Sequence, residues 1–226
     1  MTDPALSSFA DVDLGAMPSV ERGEARVHEV ARVVASAATL AGYGRLIDDF
    51  DEAEVTLVPW PVSGRRPLVP GTGIEGGVVA GTFEMVRTGD RLWATNHAVN
   101  RKYLTGWYSD PARATDDAPI RQTSWLLTHE ANYHPDGGQV FFPRDREPFV
   151  ALLAKPGDDV RPEDFVAFAF DGRQGLHVDP GVWHQPMFPL AERAAFDDKQ
   201  GRVHACVSVS FVTEFGVYLR VPLGGA

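Results

Sequence analysis

The sequence predicts a mainly β protein, a sandwich or barrel with one helical appendage at its N-terminal end, and three observations lead there. After Phe50 the apolar residues gather in short runs rich in β-branched and aromatic side chains, the types that suit a pleated surface. Gly, Pro and Asp separate these runs. Most of the 17 prolines fall in the separators, where the missing N–H costs no ladder hydrogen bond. No long helical pattern alternates with the runs, which argues against a doubly wound α/β sheet.

Taken in chain order, residues 1–18 are small and polar and read as a loose arm. From Ser19 onward Val27, Val30, Val34, Ala38 and Ala41 recur at helical spacing, with Glu21 and Glu24 near the start, where the helix dipole favours them. Ser19 is placed to cap this run and Gly42 and Gly44 to stop it, so one amphipathic helix is predicted over residues 19–41. Strands are predicted over residues 55–58, 78–86, 149–154, 165–170, 203–212 and 217–221. No internal repeat is visible. The organisation expected is an arm and helix over 1–50 and one β domain over 51–226.

Composition narrows the function classes. The chain has 226 residues, long enough for a sizeable core. A net charge of -10 argues against a nucleic-acid binder but not against a small anionic substrate, since a pocket can be locally positive. The single cysteine, Cys206, excludes an intrachain disulfide and suits a reducing compartment. The start shows no basic and apolar leader, and no apolar run has the roughly 20 residues needed to span a bilayer. A cytoplasmic protein without membrane or nucleic-acid partners is expected.

Common catalytic signatures are missing: there is no P-loop, no G-x-S-x-G and no H-E-x-x-H. Gly71-Thr72-Gly73-Ile74-Glu75-Gly76 has the form G-x-G-x-x-G, but a Pro-rich loop precedes it and a strand-like run follows, so it reads as a turn. Cys206 sits in a strand-like run and reads as a buried thiol. Two clusters stand out instead. In the first, alternation along a strand ending at Tyr133 puts Glu130, Asn132 and His134 on one face and His129 on the other. The turn Asp136-Gly137-Gly138 then returns the chain into a strand starting near Gln139, so Glu130, His134 and Gln139 can converge. In the second, His177 and His184 flank the Pro180-Gly181 turn and are expected on neighbouring strands.

These clusters resemble the two signatures of the ureidoglycolate lyase family. The first is His129-Glu130, three residues, His134-Pro135, then Gly138-Gln139 before aromatics and Pro143. The second is Gln174-Gly175, then Pro180-Gly181-Val182-Trp183-His184-Gln185-Pro186. The likeness runs over about residues 125–190. It implies a cupin-like double-stranded β-helix barrel with the site at its mouth, usually a homodimer, and a role in allantoin catabolism within purine degradation. Pro180-Gly181-x-x-His184 also resembles the second cupin motif, with His134 and Gln139 in place of a histidine and the glutamate of the first. The metal set this implies is His134, Gln139 and His184, holding either no metal or a weakly bound nickel, zinc or manganese. Departures from the family lie in residues 60–77, at His177, where a smaller polar residue is expected, and at Gln185, where a second histidine is common.

The chemistry this implies is cleavage of ureidoglycolate, a hemiaminal carrying a carboxylate, into glyoxylate and urea. His184 or His134 would take the hydroxyl proton, and Glu130 would orient a histidine or donate to the leaving nitrogen. The substrate carboxylate calls for a cation: Arg101 and Lys102, beside Tyr103, come first, then Arg65 and Arg66. Gln139, His177 and Trp183 complete the expected substrate-binding set, with a core aromatic as the other reading of Trp183. Two rivals stand beside this reading. One is a cupin enzyme of different chemistry, such as a metal-assisted hydrolase, isomerase or oxygenase on another small carboxylate. The other is a non-catalytic metabolite-binding cupin.

Overall fold

The computed structural model describes residues 16–58, 76–203 and 205–224. The Gly71–Gly76 turn (apart from Gly76), Arg65, Arg66 and most of the departing segment 60–77 lie outside them. The described chain is mainly β. In order the strands are β1 (Arg26–Glu29), β2 (Ala31–Val34), β3 (Gly44–Ile47), β4 (Val78–Thr88), β5 (Arg91–Asn96), β6 (Arg101–Trp107), β7 (Trp125–Thr128), β8 (Glu130–Tyr133) and β9 (Gln139–Pro143). They continue as β10 (Phe149–Ala154), β11 (Val166–Phe170), β12 (Gly175–Val178), β13 (Trp183–His184), β14 (Phe188–Pro189), β15 (Arg193–Gly201), β16 (Val207–Ser210) and β17 (Val217–Pro222). One short helix, α1 (Phe211–Phe215), joins the last two, with Ser210 as its N-cap and Gly216 in the left-handed conformation as its C-cap.

The strands form two mixed sheets. The larger runs β1-β17-β7-β6-β5-β4-β15-β9-β12-β3, and the smaller runs β16-β8-β13-β10-β11-β2 with β14 added on β10. β10 is buried at all six positions and pairs with β11, β13 and β14. A strand covered on both faces is apolar throughout, which is why FVALLA shows no alternation. Phe149 stacks on Phe170 at 4.5 Å and meets Phe196 of the other sheet edge-on at 5.1 Å, so this strand ties the two layers together.

The helix expected over 19–41 is not there. A turn at Val20–Gly23, with Gly23 at φ 73°, is followed by β1 and β2 and then a second turn. β1 runs parallel to β17 and β2 parallel to β11, so each strand adds to a different sheet. The valines that seemed to mark a helical stripe are β-branched, lose rotamer freedom in a helix and pack well on a sheet edge. Long-range pairing, across 191 positions for β1 and 135 for β2, decided the outcome. Residues 55–58 likewise form no strand, only a bridge between Leu57 and Gly137. Among the described residues no helix is long and apolar enough to cross a membrane.

Three connections matter for the site. At His129 the chain leaves β7 of the large sheet for β8 of the small one, and at residues 134–138 it crosses back to β9. The Pro180-Gly181 turn makes a similar passage from β12 to β13, with Gly181 at φ 77°. His177 and His184 therefore stand on different sheets rather than on neighbouring strands. What looked like two hairpins are two crossings, and a pocket opens between the sheets beside them.

Candidate active site between the sheets

The pocket is narrow, a cavity of about 30 Å³ between closely set walls. Its two walls differ in character. From the small sheet come Glu130, Asn132, His134 and His184. Alternation along β8 aims the first three the same way, and β13 sets His184 directly across from Asn132. From the large sheet come Phe83, Asn96, Tyr103, Gln139 and Phe141. Phe83 and Phe141 meet at 5.5 Å, with Tyr103 stacked on Phe83. Three aromatics thus form the apolar part of the wall.

Hydrogen-bond direction fixes the polar centre. The backbone N–H of Ala98 donates to Asn96 Oδ1 at 2.9 Å, so the Asn96 amide nitrogen points the other way and donates to Gln200 Oε1 at 3.0 Å. The same Gln200 oxygen accepts from Gln139 Nε2 at 3.0 Å, and Asp198 Oδ1 accepts from that nitrogen at 2.7 Å. Gln139 is thereby turned so that its oxygen faces both histidines, 3.1 Å from His134 Nε2 and 3.2 Å from His184 Nε2. On the far side of each ring a carbonyl accepts from Nδ1: Ala205 for His134 and Val182 for His184, both at 2.9 Å. Each imidazole thus meets an acceptor oxygen at both nitrogens, a backbone carbonyl at Nδ1 and Gln139 at Nε2, and a neutral ring can donate to only one of the two. Gln139 Oε1 is therefore the point on which both rings meet, and an oxygen acceptor there favours a ring that carries a proton.

Burial tunes the acids and bases around this point. Desolvation pushes Glu130 up to about 7, so at neutral pH much of it keeps its proton. His129 lies behind it, Nε2 to Oε2 3.6 Å, but burial drives His129 down to about 4, so it stays neutral and gives Glu130 no countercharge. Asp198, under Gln139, is also raised to about 7 by burial, against the pull of its bond from Gln139. The same desolvation lowers His134, while its bonds to Ala205 and Gln139 act in the opposite sense. The Cys206 thiol lies on the pocket wall, 3.3 Å from His134 Nδ1, and burial pushes it up to about 12. It stays a thiol and is no nucleophile.

Of the residues expected to form the site, Glu130, His134, Gln139, His184 and Tyr103 line one pocket. Arg101 leads the same strand as Tyr103, and its charge opposes the upward shifts of Tyr103 and Cys206. The other three are elsewhere. Lys102 points to the opposite face of β6, its ammonium 4.7 Å from the Trp93 ring. Trp183 turns away from His184, donates to the Gly157 carbonyl at 2.8 Å and packs edge-on against Tyr133. His177 is fully buried in the large sheet, Nδ1 3.2 Å from Asp179 and Nε2 accepting from Thr56 N at 3.4 Å. A Cβ at Gly138 would come within 2.8 Å of the His177 ring, so the crossing that carries His134 and Gln139 packs directly on that imidazole.

Sequence reasoning missed Asn96, Asp198 and Gln200. Asp198 and Gln200 share the buried face of β15 with Phe196, in a run that reads as polar and loop-like. A period of two in F-x-D-x-Q was the available signal, hidden because the inward residues are themselves polar.

Comparison with known proteins points the same way. Residues 121–217 match the model of the ureidoglycolate lyase family. The ureidoglycolate lyase of Azotobacter vinelandii is 43% identical over 63 residues, 28% of this chain and 38% of that protein. The one from Pseudomonas savastanoi pv. phaseolicola is 37% identical over 75 residues, 32% and 44% of the two chains. That of Stutzerimonas stutzeri is 35% identical over 91 residues, 39% and 54%. The chain thus spans about half the length or less of these relatives. Over residues 121–217, which supply Glu130, His134, Gln139 and His184, this chain is similar to the ureidoglycolate lyases.

Proposed function

We propose that this chain is a ureidoglycolate lyase-like enzyme that breaks the C–N bond of a small carboxylated ureide, releasing glyoxylate and urea, within a cupin-like barrel made by the two sheets. One observation carries the reading: a single pocket joins a histidine pair, held together on the Gln139 oxygen, to a carboxyl that burial keeps partly protonated. Environments that push two groups apart in this way assign base and acid. The histidine pair takes the hydroxyl proton of the hemiaminal. The new C=O forms as the C–N electrons leave to nitrogen, and Glu130 gives that nitrogen its proton, so the atoms balance as glyoxylate plus urea. Gln139 assists: its oxygen accepts from a ring Nε2–H, which favours the protonated form of the base. Arg101 is the cation we assign to the substrate carboxylate.

The same three atoms also fit a divalent cation. Imidazole nitrogens suit nickel, zinc or manganese, and the anchored amide turns an oxygen lone pair toward the same point. Among the described residues no group of three His, Cys, Asp or Glu gathers, so the third ligand is the neutral Gln139 oxygen. A cation held there supplies Lewis-acid polarisation of substrate oxygens.

The test is direct. Purified protein given racemic ureidoglycolate is expected to release glyoxylate faster than the spontaneous rate, read with a coupled reductase, and His184→Ala to remove that acceleration. The assay repeated after chelation separates the two forms of the centre: activity lost and restored by one added metal assigns the trio to a cation, and an unchanged rate assigns it to protons. No release above the spontaneous rate would sink the lyase reading.

A further inference from the structure

Asn132 holds the middle of the reactive wall. It alternates with Glu130 and His134 on β8, and the strand register sets it opposite His184 on β13 and Ser208 on β16. The carboxamides around it are engaged. Asn96 and Gln139 belong to the chain anchored at Ala98, and Gln185 donates its amide hydrogen to the Glu130 carbonyl. The Asn132 side chain differs: its Oδ1 is buried and has no hydrogen-bond partner among the described residues. A buried polar oxygen left unpaired costs about 1–3 kcal/mol, so a native position that keeps one needs a reason. Other unpaired atoms, such as those of His129 and Trp107, lie outside the pocket, whereas Asn132 lines it.

We propose that Asn132 is a specificity-determining residue that reads the ureido group of the substrate, amide to amide. The inference rests on the lyase reading and adds to it the residue that selects a ureide over an acyl amide. A primary carboxamide and a ureido end are complementary. The Asn132 oxygen accepts a terminal N–H, and its nitrogen donates to the ureido carbonyl. Held so, the ureido group spans the pocket between Glu130 and His134. Its inner nitrogen, the one that leaves, lies on the side of the acid, and the hemiaminal carbon lies toward the histidine pair. An analogue in which methyl replaces the terminal amine leaves the asparagine oxygen unpaired, the situation in which polar sites discriminate most.

N-acetyl-α-hydroxyglycine is that analogue, and its cleavage also yields glyoxylate, so one assay serves both compounds. The wild-type protein is expected to favour ureidoglycolate by about 10-fold or more in kcat/KM, and Asn132→Leu to bring the ratio within about 2-fold, mostly by slowing ureidoglycolate. Asn132→Ser is measured beside it, and a thermal melt of each variant shows that it folds; if the leucine variant does not, the serine variant decides. A wild-type enzyme that cleaves ureidoglycolate, with an unchanged ratio in the folded variants, overturns the role of Asn132 and leaves the lyase reading standing. A wild-type protein inert toward ureidoglycolate overturns both.

Discussion

Glu130→Gln is expected to lower kcat/KM for ureidoglycolate by about 10²–10⁴-fold, the usual contribution of a general acid, and to flatten the alkaline limb of its pH profile. Burial holds Glu130 at about 7, and the acid works only while protonated, so wild-type activity falls as pH rises through that value. His134 is pulled the other way, below its ordinary 6.5, and as a base it works only while neutral, so the acidic limb lies on the far side of that value. The measurement is kcat/KM for both proteins between pH 5 and 9. Glutamine fills the same space and cannot give up a proton, so an alkaline limb that survives the substitution would assign it to another group. Asp198, which titrates in the same range, is the obvious one, and Asp198→Asn identifies it by removing the limb itself.

The second large effect concerns stability. Asp198 moves from 3.8 unfolded to about 7 folded, so the folded chain holds a proton that the unfolded chain has lost between those values. Stability supported by the protonated form is complete below about 3.8 and is lost as pH rises through 7. A shift of that size corresponds to roughly 4 kcal/mol of destabilisation at pH 8, as an upper figure. Asp198→Asn removes the charge and keeps an oxygen for Gln139, but places a new amide nitrogen where Oδ2 is now buried without a partner, a cost of about 1–3 kcal/mol. The variant is therefore expected to melt above the wild type at pH 8 and below it at pH 4. Two melting curves that never cross over this range would show that Asp198 is ionised in the folded state throughout.

How much of this was legible in the residues depended on the partner each residue needed. Strands with their own apolar signal were plain: Phe149–Ala154 forms as expected, and Val217–Val221 gains one residue. The mainly β class followed from them. Residues 26–34 were misread because their spacing satisfied a helix while their partners, β17 and β11, lay far along the chain. The clustering of Glu130, His134 and Gln139 was visible from alternation and a turn. That His184 joins them, and His177 does not, depended on which sheet each strand enters. Nothing local encodes that choice. The amide chain from Ala98 to Gln139 was hidden for the same reason: its members come from β5, β15 and β9, and each alone is an ordinary polar residue.

The two walls of the pocket divide the work in a way that bears on how such a protein diversifies. The proposed proton donor, proton acceptors and ureide-reading amide come from the small sheet and the crossing that leaves it, inside the stretch similar to the lyases. Phe83, Asn96 and Tyr103 stand on the other sheet and outside that stretch. A change at Tyr103 or Phe83 reshapes the room facing the reactive groups from outside the stretch that carries them. Asn96 is the exception, since through Gln200 it sets the direction of Gln139, so the facing wall leaves Phe83 and Tyr103 as the positions where the room can change.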